Sequence, residues 1–149
     1  MEQDKIIIKH LEFIQNIITR MNTNSFQIKE WMITIVSALL ALFASSDNEK
    51  VLYIFVAIAP TLIFWFLDSY YLQQERKYRG LYDDVRELLI SENQQDDITD
   101  FSMNTDKYKN GKYSYCCCFT STTILPLYGS ICWLLLIGGC LIKKYGFFN

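Results

Sequence analysis

The chain has 149 residues, 51% of them hydrophobic, with 10 Phe, 10 Tyr and 3 Trp against 6 Gly and 2 Pro. Such a balance excludes a disordered or low-complexity chain and points to long apolar helices in one compact unit. The net charge of −2 averages over regions of opposite sign, so it excludes little by itself.

From the N-terminus, Met1 to Lys9 mixes acids and bases without the layout of a secretory signal, so the N-terminus is expected to be retained. Ile7, Leu11, Ile14, Ile18 and Met21 recur at steps of four and three, with Ile6, Phe13 and Ile17 widening the stripe, which predicts an amphipathic helix over 1–24. Asn24 and Gln27 form a capping pattern that breaks the helix near Asn22 to Ser25. The same periodicity resumes at Ile28, Met32 and Ile35, so one continuous helix is the other reading.

Three apolar blocks follow. The first, Trp31 to Ser46, extends to a span over 28–46 if Lys29 and Glu30 snorkel to the headgroups and Trp31 sits in the interfacial belt. A polar turn, Asp47 to Lys50, leads into the second, Val51 to Leu67, within a span predicted over 51–71; its Pro60 is tolerable in a membrane helix. Ile124 to Ile142 is the third and ends in Lys143 and Lys144, with Pro126 in its first turn. A crossing needs about 20 apolar residues for a core of roughly 30 Å. The fold class is therefore an all-α membrane protein with three transmembrane helices, in preference to a soluble domain with three buried ones. Lys and Arg number four before the first block, one in the turn, seven between the second and third, and two after the third. The positive-inside rule then places the N-terminus and the middle segment in the cytosol.

Tyr71, Tyr78, Leu81, Val85 and Leu88 keep helical spacing, so the second span is expected to run on as a cytosolic amphipathic helix over 72–90. The two amphipathic stripes are expected to bury against each other or against copies of the chain. The region 91–123 turns polar, first acidic and then basic, and reads as a loop. Within it Asn110–Gly111 supplies the signal of a two-residue hairpin, although pairing Lys109 across from Lys112 favours a plain solvated loop instead.

No enzyme motif is present, and five cysteines in no paired pattern, with Cys116 to Cys118 adjacent, give neither a disulfide framework nor zinc spacing. The catalytic, metal and cofactor expectations are all none. Arg76, Lys77, Arg79 and Arg86 form a basic strip below the second span, suited to anionic headgroups or a phosphate-bearing ligand. Asp68 sits at the span boundary, where it pairs with a cation such as Arg76 of a neighbouring chain, rings the mouth of a cation pathway, or is solvated. Thr34, Ser37, Ala38, Ala41 and Ser45 line a small-residue face of the first span, for helix packing or a pore wall. Three helices cannot enclose a pore, so conduction requires an oligomer.

Trp65, Asp68, Tyr70, Tyr71, Leu72, Glu75 and Arg76, followed by Leu81, Tyr82 and Asp83, resemble small bacterial antiphage-defence membrane effectors. These are the SLATT-type and HalB-type proteins associated with nucleotidyltransferases. Glu12, Phe13, Ile14, Gln15, Ile17 and Ile18, then Arg20, Met21, Asn22, Ser25 and Phe26, carry the same resemblance, which covers roughly Leu11 to Arg86; nothing after Glu92 contributes. The resemblance implies a homo-oligomeric channel, taken as a tetramer, that depolarises the bacterial inner membrane. It also implies control by a nucleotide or oligonucleotide from the partner enzyme, with no duplex nucleic acid. A non-conducting adaptor that recruits a cytosolic partner through the amphipathic helices is the competing expectation.

Overall fold

The computed structural model describes residues 2–45, 50–90 and 102–145, and within them the chain is helical with no strand. Helix α1 is Glu2–Ser45 and α2 is Lys50–Ile90; a 3-10 turn over Gly111–Tyr113 precedes α3, Tyr115–Phe119, and α4, Leu125–Tyr145. The polar turn at 46–49 and the acidic run at 91–101 lie outside the described residues. Three helices, α1, α2 and α4, are long and apolar enough to cross a membrane.

Helix α1 is continuous through Asn22 to Ser25, so the capping pattern there stops nothing. The polar side chains join the helix instead of competing with it: the Thr19 and Thr23 hydroxyls donate to the carbonyls of Gln15 and Thr19, each at 3.0 Å. The buried positions Ile7, Ile14, Ile18, Ile28, Met32 and Val36 form one stripe along its length. At about 1.5 Å per residue α1 is on the order of 65 Å long, about twice a bilayer core. Helix α2 is comparable and lies antiparallel to it. Pro60 removes the amide that would bond one turn back, yet the helix passes through, and the buried Thr61 hydroxyl bonds the Ala57 carbonyl at 2.9 Å.

Two apolar cores divide the long hairpin. At the end bearing the apolar blocks, Met32 and Val36 of α1, Ile54 and Ala57 of α2, and Ile124, Tyr128 and Leu135 pack together. Helix α4 approaches α2 closely at Gly139, where a Cβ would meet Ile54 at 3.4 Å. At the other end, here the stalk, Ile7, Ile14 and Ile18 pack on Leu81, Val85 and Tyr108. The two amphipathic stripes thus bury against each other within one chain.

The Asn110–Gly111 dipeptide makes no hairpin. Gly111 does take the positive φ of 63° that such a turn requires, but the backbone continues into a 3-10 turn, with Ser114 N–H donating to Gly111 O at 3.0 Å. The charge conflict expected of a hairpin is avoided locally: Lys109 pairs with Asp106 at 3.0 Å and Lys107 pairs with Asp84. Nor is this segment a plain solvated loop. Tyr108 is buried, donates to Asp84 at 2.6 Å, and meets Tyr113 edge to face at 5.1 Å. Both rings lie over Gly80 of α2, where a Cβ would come within 2.7 Å of the Tyr113 hydroxyl and 2.9 Å of the Tyr108 ring.

Candidate functional site: a buried polar junction between the two cores

Between the cores, Ser25 and Lys29 stand one turn apart on α1 and face Asp68 of α2. The Asp68 side chain is 0% exposed, and Lys29 Nζ meets its Oδ2 at 2.7 Å. Ser25 links the pair, since its hydroxyl donates to Asp68 Oδ1 and accepts from Lys29 Nζ at 2.6 Å. The Lys29 contact with Oδ2 is Coulombic without the geometry of a directed hydrogen bond. Tyr128 of α4 contributes a fully buried hydroxyl that faces the Asp68 carboxylate. Three helices therefore bring a cation, an anion and two hydroxyl-bearing side chains to one dry level. Such a charge pair is costly to break and contributes little net stability when intact.

An aromatic bracket closes the junction on one side. Trp65 stacks on Phe119 at 4.5 Å and 3°, and on Tyr128 at 6.0 Å and 12°. Its indole N–H donates to the Phe119 carbonyl at 3.1 Å, so α3 is tied to α2 just before α4 begins. Burial of Ser69, whose hydroxyl bonds Trp65 O at 2.7 Å, completes the polar lining.

The cations of the basic strip do not converge. Arg76 is turned onto the 3-10 turn and the segment after it, donating to Lys112 O at 3.1 Å and Ser121 Oγ at 2.9 Å, with Cys118 Sγ at 3.6 Å. Burial pushes the Cys118 thiol up, against the pull of Arg76. Arg79 grips the buried Glu75 one turn back, at 2.7 Å through both Nε and a terminal nitrogen. Lys77 and Arg86 make no ion pair among the described residues. Nearby, a groove between α1 and α2 of about 290 Å3 is lined by Gln15, Ile18, Thr19, Asn22, Arg79, Tyr82 and Asp83. A wider one of about 460 Å3 shares Gln15 and Tyr82. With Arg79 beside Asp83, the lining is mixed in charge.

Asp68 is the predicted site residue whose surroundings differ most from those expected: it is neither solvated nor turned to a neighbouring chain's Arg76, but buried against Lys29 of its own chain. Lys29 turns inward with 22% of its side chain exposed. Thr34, Ser37, Ala38, Ala41 and Ser45 are all exposed, on the side of α1 away from α2 and α4. Ser25, Tyr128 and Gly80 were absent from the sequence candidates. Only Ser25 carried a signal, as the i−4 neighbour of Lys29.

No group of three or more His, Cys, Asp and Glu side chains suited to a metal converges among the described residues. Comparison of the chain with protein families, with curated proteins and with solved structures found no match.

Proposed function

We propose that the chain is a pore-forming membrane effector of a bacterial antiphage defence system. Copies assemble in the inner membrane and depolarise it under the control of a nucleotide or oligonucleotide signal made by a partner nucleotidyltransferase. The observation that carries this reading is the outward turn of the small-residue face of α1. Bulky Met32, Val36, Leu39 and Phe43 fill the chain's own core, while Thr34, Ser37, Ala38, Ala41 and Ser45 face away from it. Small and hydroxyl-bearing residues gain little from lipid, but they let helices of several subunits approach closely or line a narrow wet path. The unbroken α1 and α2 support the same reading, because a ligand on the stalk is then joined to the membrane segments without a flexible linker. Lys and Arg placement supports a cytosolic stalk. The chain acts through assembly and not through a catalytic centre or cofactor. Lys77 and Arg86 are the cations of the strip left to meet anionic headgroups or the signal's phosphates.

Expression in cells loaded with a membrane-potential dye tests the reading. Depolarisation that depends on the partner's signal and disappears with Ala38→Leu is expected; a potential unchanged with and without the signal removes the channel.

One observation favours a second reading, a non-conducting adaptor. Ile6 and Phe13 of the stalk are each about half exposed and share one side of α1, an apolar surface fit to hold another protein. Purified protein that passes ions in liposomes eliminates this alternative.

A further inference from the structure

We infer that the open groove of the stalk holds one guanine base of the signal, with the phosphates on either side of that nucleotide bound by Arg79 and Arg86. The inference rests on the nucleotide-controlled reading above and names the site and the base. The seam between α1 and α2 has two flanks in the stalk. On one, the chain covers itself: Tyr108 and Tyr113 lie over Gly80, and Tyr108 is held by Asp84. At 3.6 residues per turn, Arg79, Tyr82 and Arg86 fall on the other flank of α2, which is left open among the described residues. Two adjoining hollows of about 290 and 460 Å3 run along it and share Gln15 and Tyr82. Together they have the size of a small-molecule site, about 300–1,000 Å3.

Height and chemistry select the occupant. At about 1.5 Å per residue Asn22 lies roughly 10 Å, and Gln15 roughly 21 Å, beyond Lys29 along the axis. A headgroup layer is only about 5–8 Å thick on each side, so the ligand comes from the aqueous side and is not a lipid headgroup. Nor is the groove an apolar trough for a helix. Gln15, Asn22 and Asp83 line it with exposed side chains that make no hydrogen bond or ion pair among the described residues. Beside them the half-buried Tyr82 offers a ring on which a base can stack. The Asp83 carboxylate only accepts hydrogen bonds. Guanine sets two donors side by side on its pairing edge, the ring N1–H and the 2-amino group. Adenine and cytosine put a ring-nitrogen lone pair next to their amino group, and uracil flanks its N–H with carbonyls, so each of these sets an acceptor against the carboxylate. Glu75 fixes the Arg79 guanidinium through Nε and one terminal nitrogen and leaves the other for a phosphate. Arg86 is exposed about 10 Å further along the same flank. A free polyphosphate bridging the two arginines would bring its charge against Asp83. Two phosphates separated by one nucleoside pass on either side of it.

The test titrates the full-length protein in detergent with guanosine 3′,5′-bisphosphate and its adenosine, cytidine and uridine counterparts, each a single base with a phosphate on either side. The guanosine compound is expected to bind about tenfold or more tighter than the others. Asp83→Asn replaces two acceptors by an acceptor beside a donor, which matches adenine, so the preference should pass from guanosine to adenosine. Weakening of all four compounds alike is what a structural role of Asp83 predicts, and it overturns the base assignment. Arg86→Ala should weaken the guanosine compound by about tenfold and flatten its salt dependence while keeping the guanine preference. Absence of binding, equal binding of the four, or displacement by inorganic phosphate at the same concentration overturns the site. Depolarisation in cells separates the two levels of failure. A partner's signal that acts undiminished on the chain carrying both Asp83→Asn and Arg86→Ala refutes the groove and leaves the channel reading standing, whereas a signal without effect on the unsubstituted chain refutes both.

Discussion

Lys29 and Asp68 come from opposite halves of the helical hairpin and meet at 2.7 Å, with the carboxylate sealed from solvent. Removing one member of a buried pair leaves the other charge stranded, at a cost of about 3–5 kcal/mol, whereas replacing both by apolar residues is close to neutral. Lys29→Met is therefore expected to lower the thermal midpoint in detergent sharply, and Lys29→Met with Asp68→Leu to recover most of the loss. A double variant as unstable as the single one contradicts the pairing.

Gly80 is a residue where a better helix former is expected to do harm. Alanine in a helix interior is favoured by about 1 kcal/mol over glycine, but here its Cβ lands 2.7 Å from the Tyr113 hydroxyl and 2.9 Å from the Tyr108 ring. Tyr108 cannot easily yield, because Asp84 holds its hydroxyl at 2.6 Å. Gly80→Ala is expected to cost about 1–3 kcal/mol through overpacking, read as faster hydrogen exchange across 102–114. Slower exchange there would show that the segment does not rest on Gly80.

Arg76 should behave as a structural residue and Lys77 as a surface one. Arg76→Lys forfeits the two directed bonds to Lys112 O and Ser121 Oγ, so the buried Cys118 should become reactive to maleimide. Cys116 and Cys117 are already exposed and serve as internal references. Lys77→Ala should leave Cys118 protected while weakening binding to anionic vesicles by about 1 kcal/mol, roughly fivefold. Equal labelling of Cys118 in the two variants would remove the distinction.

Acidification is expected to loosen the stalk in two stages. Burial lowers the His10 pKa below its usual value, against a hydrogen bond with the Ser102 backbone that raises it. A folded-state pKa below the unfolded one means that His10 supports folding above about pH 6.5 and ceases to as pH falls through the lowered value. Asp84 follows at lower pH: hydrogen bonds from Lys107 and Tyr108 depress its pKa, so its contribution is present above about pH 4 and lost below. On the alkaline side burial pushes the Tyr108 hydroxyl up to about 12, so its contribution is full below about pH 10 and declines above. Stalk protection factors, exchange rates corrected for the intrinsic pH dependence of amide exchange, should fall first near the His10 transition as pH drops from 8 to 3. In His10→Gln that first fall should vanish and the Asp84 fall remain.

What the sequence disclosed tracks how local each signal is. The three apolar stretches and the Ile7 to Ile18 stripe are carried by neighbours within a few turns, and both stand in the structure as helices. Continuity through Asn22 to Ser25 was legible only as one of two readings, because a capping pattern and a resumed periodicity compete on equal local terms. The Lys29 and Asp68 pair was not legible: each residue has an adequate local account, snorkelling or solvation, and only the antiparallel packing of α1 on α2 sets them face to face. Gly80 was illegible for a related reason. A glycine within a helical pattern marks close approach without naming what approaches, and the tyrosines come from beyond 91–101. Asn110–Gly111 signalled the left-handed residue correctly, but the signal does not say whether strands flank it.

Taken as a rigid rod, α1 is a lever with its fulcrum at Lys29. By length along the axis the stalk arm is about 40 Å and the membrane arm about 24 Å, so the ratio of arms is roughly five to three. A sideways displacement of about 5 Å at the Glu2 end then becomes an opposite one of about 3 Å at Ser45, enough to change how closely α1 approaches its neighbours there.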